Sequence, residues 1–75
     1  MSDHAETELA MARRHVREGE ERLARQAAMV AALERANHVA AAALGRQLLE
    51  TIRSSLGAMK RHLQQIEGRS RKDQR

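Results

Sequence analysis

Apolar or small residues recur every three or four positions from Leu9 onward. They are Leu9, Ala12, Val16, Gly19, Leu23, Val30 and Leu33, with Gln26 in the same register. A second stripe runs Ala42, Gly45, Leu49, Ile52, Leu56, Met59, Leu63 and Ile66. This spacing puts each stripe on one face of a helix. If the chain folds back near Asn37, each member of the first stripe meets a member of the second whose number brings the sum to 75. Leu9 meets Ile66, Val16 meets Met59, Leu23 meets Ile52 and Val30 meets Gly45. The pattern predicts an all-α fold, an antiparallel two-helix hairpin over residues 1–68. The first helix is expected at about 4–36, the turn at about 37–39 and the second helix at about 39–67. A basic, disordered tail is expected at 69–75.

The rival architecture is one helix of about 65 residues in a coiled coil. The stripe phase argues against it. Continuing the first heptad would put Asn37, Leu44 and Thr51 on the seam, whereas the second stripe runs through Ala42, Gly45 and Leu49. Asn37 is the best place for the break, because Asn tolerates the left-handed conformation that ends helices.

Local signals complete the picture. Asp3 and Glu6 stand in capping-box spacing. Glu18–Arg22 and Glu21–Arg25 have the favourable i, i+4 order. Gly68 is a natural stop for the second helix. Gly19 and Gly45 face Leu56 and Val30, and a bulky residue opposite glycine lets two backbones approach. Gln26 faces Leu49. A buried amide there would fix register. In so thin a structure, the long side chain is expected instead to turn its amide to solvent.

A two-helix hairpin buries little, and one core of this size supplies about 3–5 kcal/mol at most. Pairing of two hairpins into a four-helix bundle is the simplest remedy. Between Gln26 and Gly45 only Glu34 and Arg35 are charged, and a helix apolar on all sides is normally covered. Ala27, Met29, Ala31, Ala41, Leu44 and Leu48 are therefore the expected self-association or partner surface.

Composition narrows the chemistry. The chain has no Cys, Pro or aromatic residue. A disulfide framework and a thiolate metal site are excluded. No stretch approaches the roughly 18 apolar residues of a membrane span. The acidic N-terminus lacks the order of a secretion signal. A cytoplasmic protein is the expectation. The formal charge is +4, and twelve of the fourteen basic residues are Arg, a bias that a GC-rich coding sequence produces.

His4, His15, His38 and His62 are the histidines, and His15 and His62 flank the seam. No acid lies on either stripe and no Glu-x-x-His spacing occurs, so solvated histidine is favoured over a metal site. No phosphate loop, nucleophile elbow or paired carboxylates appear. The expectation is a non-enzymatic interaction or structural module without a cofactor, acting as a homodimer and possessing a surface for another protein. The alternative is an accessory nucleic-acid binder, with Arg53, Lys60, Arg61, Arg69, Arg71, Lys72 and Arg75 following a phosphate backbone. The lack of stacking aromatics argues against it.

The run from Ala12 to Gln26, with Leu48-Leu49-Glu50-Thr51 and Met59-Lys60-Arg61-His62-Leu63, resembles short bacterial helical-hairpin proteins of no assigned function. The likeness covers roughly residues 9–66 and implies the hairpin fold. That group tends to carry a Gly-His-Asp-Thr-like turn. This chain has Asn37-His38-Val39-Ala40, which keeps a left-handed cap and loses the oxygen expected to cap the second helix.

Overall fold

The computed structural model describes residues 6–73. Two antiparallel helices make up the fold, α1 (Glu8–Arg35, 28 residues) and α2 (Val39–Asp73, 35 residues). The molecule measures 55 × 27 × 13 Å. Its long dimension is close to the roughly 52 Å that a helix of α2's length spans. All sixteen stripe positions are buried or half-buried, so the two stripes do form one seam. Ala12, Val30, Ala42, Leu56 and Ile66 are its most enclosed apolar members.

The chain reverses where the phase shift predicts, not through a continuous helix. Asn37 has φ 61°, in the left-handed region. The His38 amide donates to the Leu33 carbonyl oxygen at 2.9 Å, and the Asn37 amide to that of Glu34 at 3.1 Å. These two bonds are the Schellman pattern, which satisfies carbonyls that the helix end leaves open.

Glycine pairing sets the closeness of the helices. A Cβ on Gly19 would lie 3.0 Å from Leu56 Cδ1, and one on Gly45 3.0 Å from Val30 Cγ2. Both glycines are therefore close-approach positions, each filled by the side chain opposite.

Four expectations need correction. The first helix starts at Glu8 and not near residue 4. Thr7, in extended conformation, is its N-cap, with Oγ1 accepting from the Ala10 amide at 3.0 Å. Asp3 and His4 lie outside the described residues. Glu6 does not reach back as a capping-box partner, because its carboxylate accepts from Arg14 Nη2 at 2.8 Å and Nε at 3.0 Å.

The second concerns the tail. Helix α2 runs through Gly68 to Asp73, so residues 69–73 are helical. Glycine costs only about 1 kcal/mol in a helix. Ile66 is held in the seam just before it, and Arg69 Nη2 bonds Glu8 across the hairpin at 3.3 Å just after. Arg71 and Lys72 also suit the negative end of the helix dipole. Arg75 lies outside the described residues.

Third, Gln26 does not turn to solvent. It is 8% exposed and its Nε2 donates to the Gly45 carbonyl oxygen at 3.0 Å. The missing side chain of Gly45 bares that oxygen to the opposite helix.

Fourth, Glu18 pairs with Arg14 at 3.3 Å rather than with Arg22. Among the described residues, neither Arg22 nor Arg25 has a carboxylate within ion-pair distance. No helix among the described residues is long and apolar enough to cross a membrane.

Candidate interaction surface

The seam leaves the hairpin two edges, and they differ in chemistry. Along one edge, among the described residues, three ion pairs join the helices: Arg13–Glu67 at 3.7 Å, Glu20–Lys60 at 3.4 Å and Glu34–Arg46 at 2.6 Å. Their members recur at heptad multiples on each helix, so they share a track beside the seam. One step of the track is unfilled. Ala27 stands there in register with Arg53, and Arg53 bonds Glu50 of its own helix at 2.6 Å instead.

The other edge begins at the open end with Glu8–Arg69 at 3.3 Å. At heptad steps it then carries His15 with His62, Arg22 with Ser55, and Met29 with Leu48. Towards the turn this edge is apolar. Met29 is 55% exposed, Leu48 49%, and Leu44, one turn before Leu48, 67%.

The six expected surface residues therefore divide. Met29, Ala41, Leu44 and Leu48 share the apolar edge. Ala27 lies on the ionic edge, and Ala31, one turn further on, is half-buried beside it. In the sequence the turn half is charge-poor all round. The fold gives one side of it to the Glu34–Arg46 pair.

Next to Met29 and Leu48, towards the open end, the apolar edge is grooved. Its most enclosed part is a recess of about 140 Å³ lined by Gly19, Arg22, Leu48, Thr51, Ile52, Ser55 and Met59. The recess continues towards His15 and Glu18 on one side, and towards Arg25 and Met29 on the other. The stripe pattern marks Gly19 as a packing position. Gly19 also stands beside the edge track, where Ser55 is small and Met59 is flexible, and that placement is the sequence signal for the groove.

The expected phosphate contacts do not form one track. Arg53 and Lys60 belong to the ionic edge, and both are paired. Arg69 follows Lys60 by nine residues, half a turn round the helix, and pairs on the opposite edge. Arg61, Arg71 and Lys72 have no carboxylate at ion-pair distance among the described residues.

The strongest electrostatic perturbation lies elsewhere, at the start of α1. Hydrogen bonds from Arg14 hold the Glu6 carboxyl below its ordinary pKa. The same bonds to Glu6, with those to Glu18, raise Arg14 above its ordinary value. His15, His38 and His62 are exposed. Among the described residues no three His, Cys, Asp or Glu side chains come together in a group able to hold a metal ion.

The chain matches no protein-family model, no curated protein and no solved structure.

Proposed function

We propose that this hairpin is a self-associating interaction module, whose copies pair through the apolar edge near the turn. The observation that carries the reading is the exposure of Leu44, Leu48 and Met29 side by side on one edge. Burying each remaining half or more of such a side chain contributes roughly 1–2 kcal/mol. Association itself costs several kcal/mol, so the pairing is weak and concentration-dependent.

A second hairpin laid on the apolar edge brings the structure towards a four-helix bundle.

Sedimentation equilibrium over a wide concentration range tests this. The wild type should approach the mass of a dimer, and Leu44→Glu should remain a monomer with unchanged helix content. A wild type that stays monomeric at every concentration would sink the proposal. Nucleic-acid binding through the basic residues is the weaker reading, because Arg53, Lys60 and Arg69 are paired and lie on opposite edges.

A further inference from the structure

The groove beside Gly19 has an apolar floor and unpaired positive charge. Ile52, Met59 and Leu48 supply the floor. Arg22 stands over the recess and Arg25 lies one turn beyond it. Among the described residues neither arginine has an ion-pair partner, and Glu18, the carboxylate on this stretch of the edge, is bonded to Arg14. An occupant that carries negative charge beside its apolar group complements both arginines.

A second copy does not meet that need. On this edge the described carboxylates Glu8 and Glu18 are already paired, so the same edge of a second copy offers Arg22 and Arg25 no free carboxylate among the described residues. Nucleic acid would supply the charge, but its bases stack on aromatic side chains and the floor has none. We infer that the groove takes an acidic amphipathic helix of another protein, seating one large apolar side chain between Gly19, Ile52 and Met59, with carboxylates beside Arg22 and Arg25. The site shares Leu48 and Met29 with the proposed self-association surface, and its recognition of a partner does not depend on that pairing.

Size agrees with this occupant. The recess of about 140 Å³ is close to the roughly 150 Å³ cavity that accepts a benzene-sized group. From His15 to Met29 the edge spans two heptads, about 21 Å of helix. That length fits a docked helix of about four turns, using the helix-in-groove mode. Flexible methionines such as Met59 and Met29 let the floor adapt to its guest.

The test titrates fluorescent 14-residue helical peptides into the full chain and reads anisotropy. One peptide carries Leu on one face and Glu on the other. A second replaces every Glu by Lys, and a third is poly-Glu. The Leu/Glu peptide should bind, and should bind Arg22→Glu/Arg25→Glu at least tenfold more weakly. Arg35→Glu, at an arginine away from the groove with no ion-pair partner among the described residues, should leave affinity within twofold. Ser55→Tyr should weaken binding by partly filling the groove, with helix content unchanged. Leu44→Glu, which lies outside the groove and blocks pairing, should bind at least as tightly as wild type, which separates this site from self-association. The inference is overturned if the Leu/Glu peptide does not bind, if the Lys or poly-Glu peptide binds as tightly, or if the double arginine variant binds undiminished. It is also overturned if a single-stranded oligonucleotide binds more tightly than the Leu/Glu peptide in an arginine-dependent way, or if Arg22→Glu/Arg25→Glu abolishes wild-type dimerisation.

Discussion

Gln26 of α1 donates from Nε2 to the carbonyl oxygen of Gly45 on α2, 3.0 Å away, inside an otherwise apolar seam. The bond joins a side chain of one helix to the backbone of the other. Sliding one helix by a turn would break it, so it fixes register as well as adding stability. Gln26→Ala should cost about 1–2 kcal/mol in urea unfolding. Gln26→Glu should cost more at neutral pH, because it faces a carbonyl with an acceptor and buries a charge. Burial raises the new carboxyl's pKa in the folded state. Its deficit relative to wild type should therefore be smallest below the ordinary carboxylate pKa of about 4.3, and should grow as pH rises from there to the raised folded value. A deficit independent of pH would contradict the buried geometry.

The four glycines should answer to alanine differently. Gly68 has nothing within 4 Å of an added Cβ, and Gly57 meets only Arg61 Nη1 at 3.6 Å. Alanine at either should stabilise by about 0.5–1 kcal/mol through helix propensity. At Gly45 the Cβ would meet Val30 Cγ2 at 3.0 Å. Valine is stiff at χ1 and cannot swing away, so Gly45→Ala should destabilise by about 1 kcal/mol or more. At Gly19 the obstacle is Leu56 Cδ1, the far end of a more flexible side chain, so Gly19→Ala should fall between these extremes. Thermal melts of the four variants would establish the order.

Ala27 marks the missing rung of the ionic edge. Ala27→Glu would offer Arg53 a partner on the opposite helix, in register with Glu20–Lys60 and Glu34–Arg46. The expected gain is about 0.2–1 kcal/mol at low salt, shrinking in 1 M salt. A double-mutant cycle with Arg53→Ala isolates it. Zero coupling would mean that Arg53 keeps Glu50.

The Glu6–Arg14 contact should appear in a carboxyl titration followed by NMR. Glu6 should titrate below the ordinary carboxylate range, and Arg14→Ala should return it there. Its folded-state pKa is lowered, so its contribution to stability is present above the ordinary value. That contribution is lost as pH falls through the lowered one. Glu6 titrating in the ordinary range would show that the bond is not kept in solution.

The two seam stripes and the Asn37 reversal were legible because helical periodicity is local and each stripe is complementary to the other residue by residue. The burial of Gln26 is not legible, because the accessible oxygen of Gly45 belongs to backbone, which no residue pattern displays. The helix ends escape the pattern for a related reason. Thr7 rather than Asp3 caps α1, and α2 continues past Gly68, where the cross-hairpin Arg69–Glu8 contact helps to hold it.

Sequence alone determined that this chain makes two helices, where they reverse and which faces they bury on each other, since those follow from the spacing of apolar side chains. Only the tertiary structure decided what remains outside. Laying α1 on α2 brings distant charges together and closes one edge with ion pairs. The other edge is left with Met29, Leu44 and Leu48 exposed, and with Arg22 and Arg25, which have no ion-pair partner among the described residues, beside the groove at Gly19. Which charges pair across two helices depends on their relative rotation and register, and those exist only once the helices have docked.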